Sequence, residues 1–152
     1  MKLSINSDKA PEPIGPYSQA IKANNTLYVS GQIPIDRETG KLVDGSIEEE
    51  TKQVMLNLGH ILMEAGLNFE HVVKCSIFIT SMADFTKINS VYGQSFGDVP
   101  PARETVEVRG LPKGVNVEIS LKCTELSPRL CQYFSDSHSA ATKKGGFNSF
   151  VL

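Results

Sequence analysis

Residues 46–66 spell a single amphipathic helix, and one whole side of it has to be covered by something else in the chain. Val54, Leu58, Ile61 and Ala65 recur at helical spacing, and Met55 and Leu62 widen the stripe. Ser46 and Glu49 stand at capping-box spacing, and Glu48, Glu49 and Glu50 place negative charge where the helix dipole favours it. Gly66 supplies a stop. What flanks this helix is largely of β type. Residues 17–30 (YSQAIKANNTLYVS) read as two strands about a tight Asn24-Asn25 turn, the second ending at Gly31. DRETG, residues 36–40, reads as another turn, returning into residues 41–44. HVVKCSIFIT, residues 71–80, is short and β-branched, which predicts a buried strand. Residues 81–96 return to helical spacing through Phe85, Ile88, Tyr92 and Phe96, weakened by Gly93 and closed by Pro100-Pro101. Residues 103–109 and 115–123 are strands joined by the GLPKG turn. The order ββ(β)αβαββ predicts an α+β sandwich in which two helices cover one face of a mixed sheet.

At 152 residues the chain suits one domain with a usable core. That domain is expected over residues 1–126. Residues 127–152 are rich in Ser, Gly and Lys, with isolated apolar positions, and read as a C-terminal extension. A net charge of −2 makes no electrostatic case for nucleic acid or an anionic membrane. No apolar run approaches the roughly 20 residues that span a bilayer. The opening MKLSINSDKAPEP has neither an apolar h-region nor an Arg-rich stretch, so no signal or transit peptide is expected. Cys75, Cys123 and Cys131 form no C-x-x-C pair, which suits a reducing, cytoplasmic setting. His60, His71 and His138 are equally scattered, so neither a metal nor any other cofactor is expected.

The last two strands carry the polar side chains best placed for chemistry. An antiparallel register about GLPKG that pairs Val108 with Val115 also pairs Val106 with Val117. It sets Thr105 opposite Glu118 and Arg103 opposite Ser120, gathering a guanidinium, a hydroxyl and a carboxylate on the other face. A solvated polar face would look the same, and an exposed Arg/Glu pair there would contribute little. The functional alternative is that Arg103 grips a substrate carboxylate while Glu118 manages a water. Two further segments are distinctive. PIGPY is a stiff loop that aims Tyr17, and VSGQIP breaks a strand at Ser30 and Gly31.

Taken in order, PIGPYSQAI, YVSGQIP, the helix ending in EAGL, VVKCSIFI, DFTKINSVY, PPARETVEV and LPKGVNVEIS resemble the reactive intermediate deaminase family, also called RidA, YjgF or L-PSP. The resemblance runs collinearly over about residues 10–124. It implies a chorismate-mutase-like fold and a homotrimer with a site in each cleft between subunits. It also implies that Arg103 holds the carboxylate of a small imino or enamino acid such as 2-aminoacrylate, and that Glu118 orients the attacking water. Tyr17 would line the cleft from the adjacent chain, with Ser30, Gly31 and Asn89 completing the pocket. Many members carry a cysteine where this chain has Thr105, which excludes thiol chemistry there and leaves a hydroxyl to bind ligand or water.

Such an imine is already electrophilic, so a positioned water and one acid/base group suffice without metal or covalent nucleophile. Glu118 near Arg103 is expected to stay ionised. Two other functions compete: a ribonuclease or translation inhibitor, which scattered histidines and an acidic balance argue against, and a non-catalytic ligand-binding or chaperone-like trimer.

Overall fold

A computed structural model describes residues 1–125, so the C-terminal extension expected over 127–152 lies outside the described residues. Six strands and two α-helices follow one another as β1 (Lys2–Ile5), β2 (Ala20–Ala23), β3 (Thr26–Gln32), α1 (Ile47–Glu64), β4 (Val72–Ile79), α2 (Phe85–Tyr92), β5 (Ala102–Glu107) and β6 (Val117–Thr124). The strands form one sheet in the order β1-β2-β3-β6-β4-β5. Every neighbouring pair is antiparallel except β4–β5. The expected α+β architecture, a mixed sheet with two helices, is therefore present.

The local signals act as the sequence indicates. Ser46 Oγ accepts from the Glu49 N–H at 3.3 Å, and the Glu49 carboxylate accepts from the Ser46 N–H at 2.7 Å, closing the capping box. At the other end Gly66 takes φ +73°, and the Leu67 N–H reaches back to the Leu62 carbonyl at 2.9 Å. That is the Schellman closure, which a left-handed glycine permits at low cost. Asn24, at φ +53°, makes the two-residue turn that sets Ala23 opposite Thr26. Val54, Leu58, Ile61 and Leu62 are fully buried from α1, against Leu27, Ile77, Val117 and Ile119 of the sheet. None of the described helices lies over the opposite sheet face, where Tyr28 and Val106 are exposed.

Three expectations need correction. β5 and β6 do not form a hairpin. β5 lies parallel to β4, while β6 lies antiparallel on the other side of β4. The physical reason is that Val117, Ile119, Leu121 and Cys123 give β6 one fully buried face, and a strand so placed at the centre of the sheet takes a partner on both edges, whereas the charged ARETVE of β5 suits an edge. GLPKG therefore carries the chain across the end of β4, where Val108 N–H bonds the Ile79 carbonyl and Thr80 N–H bonds the Asn116 carbonyl. Residues 41–44 contribute only an isolated Ile35–Leu42 bridge, and the extra strand is β1, whose four residues are too few to show a pattern. Finally, β3 does not end at Gly31 but bulges through it, Val29 facing Leu121 and Gln32 facing Ile119.

Leu58 (fully buried) and Leu56 (51% exposed) sit on opposite sides of α1, which makes them a test of the layer arrangement. Leu58→Ala is expected to lower unfolding stability in urea by about 2–5 kcal/mol, and Leu56→Ala by less than about 0.5 kcal/mol. Similar losses from the two would overturn the packing described.

Candidate active site

The β3 bulge creates the first group of site residues. Three residues of β3 span the distance of two on β6, so Ser30 and Gly31 are pushed up beside Glu118. Gly31 is required here by space and not by φ. A Cβ built on it would stand 2.0 Å from Glu118 Oε1 and 2.9 Å from its Cγ, so the carboxyl lies folded over the bare backbone. Ser30 is spoken for in part: its hydroxyl donates to the Ser18 carbonyl at 2.7 Å and its N–H to the Gln19 carbonyl at 2.9 Å. Tyr17 is 46% exposed, and its hydroxyl accepts from the Ile14 N–H at 3.2 Å, closing the PIGPY loop upon itself. Ile14, Tyr17, Ser30, Gly31, Ile33, Pro112 and Glu118 together line one open depression.

Buried polar side chains tie the walls of this depression to the core. Gln19 Nε2 donates to the carbonyls of Ser7, Ala10 and Pro11, while its oxygen accepts from the Ser7 N–H at 2.6 Å. Asn57, on α1, donates to the Ile33 and Ile35 carbonyls. Glu50, also on α1, accepts from the backbone and side-chain amides of Asn116, just beyond the turn that carries Pro112. Gln19, Asn57 and Glu50 are each buried and satisfied, so removing a partner would leave a buried polar group unpaired.

The second group is built on β5 and α2. Arg103 stands opposite Cys75 and Thr105 opposite Ile77, both on the helix-covered face. Arg103 Nη1 donates to Asn89 Oδ1 at 2.6 Å, and its Cζ lies 5.5 Å from the Phe85 ring centroid and 5.2 Å from that of Tyr92. None of the described carboxylates pairs with it. Among the described residues the Thr105 hydroxyl and the Tyr92 phenol oxygen are buried without a hydrogen-bond partner, Tyr92 lying beside the Cys75 thiol. Burial pushes the Cys75 thiol up to about 11 and the Cys123 thiol up to about 12, so both stay protonated and inert.

The structure thus brings Tyr17, Ser30, Gly31 and Glu118 together in one group, and Asn89, Arg103 and Thr105 in another, but it does not bring the groups together in one protomer. Glu118 stands opposite Phe78 on β4, and Arg103 stands opposite Cys75 on the same strand. Those two positions are an odd number apart along a regular strand, so Arg103 and Glu118 project from opposite faces of the sheet. The single polar face expected from a β5–β6 hairpin is corrected accordingly. Within one chain Arg103 is accordingly not among the causes acting on Glu118. Burial is the cause acting on this carboxyl, and it raises the pKa above 4.5. Sequence reasoning also missed Ile14, Ile33 and Pro112 as lining, and Phe85 and Tyr92 as neighbours of Arg103. The i, i+4, i+7 spacing of Phe85, Asn89 and Tyr92 was the available signal, but it reads equally well as a core stripe.

Among the described residues no three His, Cys, Asp or Glu side chains converge as a metal site would require, and no helix is long and apolar enough to cross a membrane. His60 meets the Lys9 carbonyl and His71 meets Asn68, and neither lines the depression beside Glu118.

Known proteins resemble the chain over this whole domain. The family model for endoribonuclease L-PSP matches residues 7–124. A RutC family protein of Pyrococcus abyssi is 52% identical over 118 residues, covering 78% of this chain and 93% of the relative. The Bos taurus protein named 2-iminobutanoate/2-iminopropanoate deaminase is 46% identical over 115 residues, covering 76% of this chain and 84% of its own. Among solved structures, RidA from an Antarctic Psychrobacter superposes with a TM-score of 0.78 at 39% identity, covering 81% of this chain and 99% of that one.

Gly31→Ala tests the bulge. The added methyl is expected to turn the flexible Glu118 side chain out into solvent, so its carboxyl pKa falls back towards 4.5 in a carbon-13 NMR titration, with the melting temperature shifted by only a few degrees. An unmoved titration would show that the carboxyl does not depend on the bare glycine.

Proposed function

The chain belongs to the endoribonuclease L-PSP family, also called RidA or YjgF, and from that membership we propose that it hydrolyses small imino and enamino acids, such as 2-iminopropanoate, to 2-keto acids and ammonia. The observation that carries this reading is the Arg103 guanidinium, set among neutral groups and paired with none of the described carboxylates. A planar cation held ready in this way suits a carboxylate, which it can grip with two parallel hydrogen bonds. Relatives named as imine deaminases, at 46% and 45% identity, support the same chemistry.

The reaction asks for little more. Arg103 holds the substrate carboxylate, with the Thr105 hydroxyl a further donor or acceptor beside it. Glu118 takes a proton from water as the oxygen bonds to the imine carbon. The nitrogen picks up that proton to give a carbinolamine. A second proton moves from the new hydroxyl to nitrogen, the C–N bond breaks, and ammonia leaves from the keto acid. The raised pKa of Glu118 brings it closer to the range in which it can both take and return a proton. Ile14, Ile33, Pro112 and the Tyr17 ring supply an apolar wall on one side of the reacting centre.

Because Arg103 and Glu118 lie on opposite faces of one sheet, this chemistry needs a second copy of the chain. We infer a homotrimer in which each cleft takes Arg103, Thr105 and Asn89 from one subunit and Glu118, Tyr17, Ser30 and Gly31 from its neighbour. The helix-free sheet face, with Tyr28 and Val106 exposed, is a suitable surface for such an assembly.

The test generates 2-aminoacrylate in situ from serine with a PLP-dependent dehydratase and follows pyruvate release. Wild type is expected to accelerate release, Arg103→Ala to lose about 100-fold or more, and Glu118→Gln about 100-fold to 10,000-fold. The two inactive variants, unfolded together in equal amounts and refolded as mixed trimers, are expected to regain about a quarter of the wild-type sites, since one cleft in four then combines both intact residues. No acceleration by wild type would sink the deaminase assignment. Acceleration without recovery in the mixture would sink the shared cleft.

A further inference from the structure

We propose that Phe85, Asn89 and Tyr92 form a charge-neutral clamp that positions the Arg103 guanidinium for an incoming carboxylate. This inference rests on the function proposed above, adds Phe85 and Tyr92 to it and gives Asn89 a positioning role. An arginine side chain is long and rotamer-rich, and a binding site must fix it before ligand arrives or lose affinity in doing so. A carboxylate would be the strongest holder, but it would neutralise the charge and compete with the substrate for the same N–H groups. Among the described residues, neutral groups do the holding instead. Two ring faces stand 5.5 and 5.2 Å from Cζ, and one amide oxygen takes a single N–H at 2.6 Å. A guanidinium has five N–H groups, so the remaining ones can still meet both oxygens of a carboxylate.

The clamp is also stiff. Phe85, Asn89 and Tyr92 sit at i, i+4 and i+7 of α2, one above the other on one helix face. Tyr92 is 5% exposed and leans on Phe96 with ring centroids 4.7 Å apart, and Phe96 meets Phe69 edge-on at 5.6 Å. The guanidinium is thereby braced against the hydrophobic core through a relay of aromatic rings.

The experiment measures binding of 2-oxobutanoate, an unreactive keto acid, to the full-length protein by titration calorimetry, with Arg103→Ala as reference. Removing one ring in Phe85→Leu is expected to weaken binding about 3-fold to 30-fold, and Phe85→Tyr, which keeps the ring, is expected to restore it. In turnover the same loss is expected in KM with kcat retained, because the carboxylate is held alike in ground and transition states. Asn89→Asp is nearly isosteric and folds with an equal or higher melting temperature, yet it is expected to weaken binding at least about 10-fold by pairing with Arg103. A merely structural clamp predicts the opposite for that variant, stability and affinity holding together. Wild-type affinity in Phe85→Leu or in Asn89→Asp, alongside loss in Arg103→Ala, overturns the clamp while leaving Arg103 as the anion site. Wild-type affinity in Arg103→Ala overturns the site assignment itself, and the clamp with it.

Discussion

β6 sits where two ladders meet, and most of the geometry follows from that. Val117, Ile119, Leu121 and Cys123 are all buried, so the strand has one permitted facing, and a slip of one residue would turn Glu118, Ser120 and Lys122 into the core. Its hydrogen bonds to β3 and β4 are antiparallel on both sides, and they fix those two strands in register as well. α1 then has a flat apolar surface on which to lay its stripe, and β5 is left the outer edge of β4. Glu118 is consequently carried to the helix-free face and Arg103 to the helix-covered one. The separation of the two groups is thus a result of pairing order, not of any preference in the side chains concerned.

The depression around Glu118 is shaped by irregular backbone, which cannot be held by ladders. It is held instead by a few buried polar side chains. Gln19 gathers the segment leading into PIGPY, Asn57 holds the carbonyls on either side of Pro34, and Glu50 ties down Asn116. Two of the three project from α1, so the helix that seals the core also positions the loops at the site. Such anchors act in a low-dielectric surrounding, where an orphaned partner is costly, and this gives the loops a defined geometry without making them regular.

Electrostatically the two groups of residues are opposites. One carries a cation surrounded by ring faces and an amide, the other a carboxyl whose ionised form is disfavoured by burial. Neither finds a counterpart among the described residues of the chain. Joining them across a subunit boundary would set an arginine near the carboxyl and a carboxylate-bearing ligand between them, which is why the proposed assembly and the proposed chemistry stand or fall on neighbouring arguments.

The capping box, the Gly66 stop, the α1 stripe and the Asn24 turn were all legible in the sequence, because each depends on residues within a few positions of one another. The family resemblance, spread over seven segments, singled out Arg103, Glu118 and Tyr17 for the same reason: motifs are local. What the sequence could not determine was which strand lies beside which. GLPKG looked like a hairpin turn, yet the chain passes over the end of β4, because β6, with one face wholly in the core, gains more by pairing on both edges than by staying next to its sequence neighbour. That non-local choice moved Arg103 and Glu118 to opposite faces, set the bulge at Gly31 beneath the carboxyl, and brought Phe85 and Tyr92 against the guanidinium. Local chemistry was written along the chain, whereas the meeting of distant residues was decided only when burial of the sheet selected one pairing order.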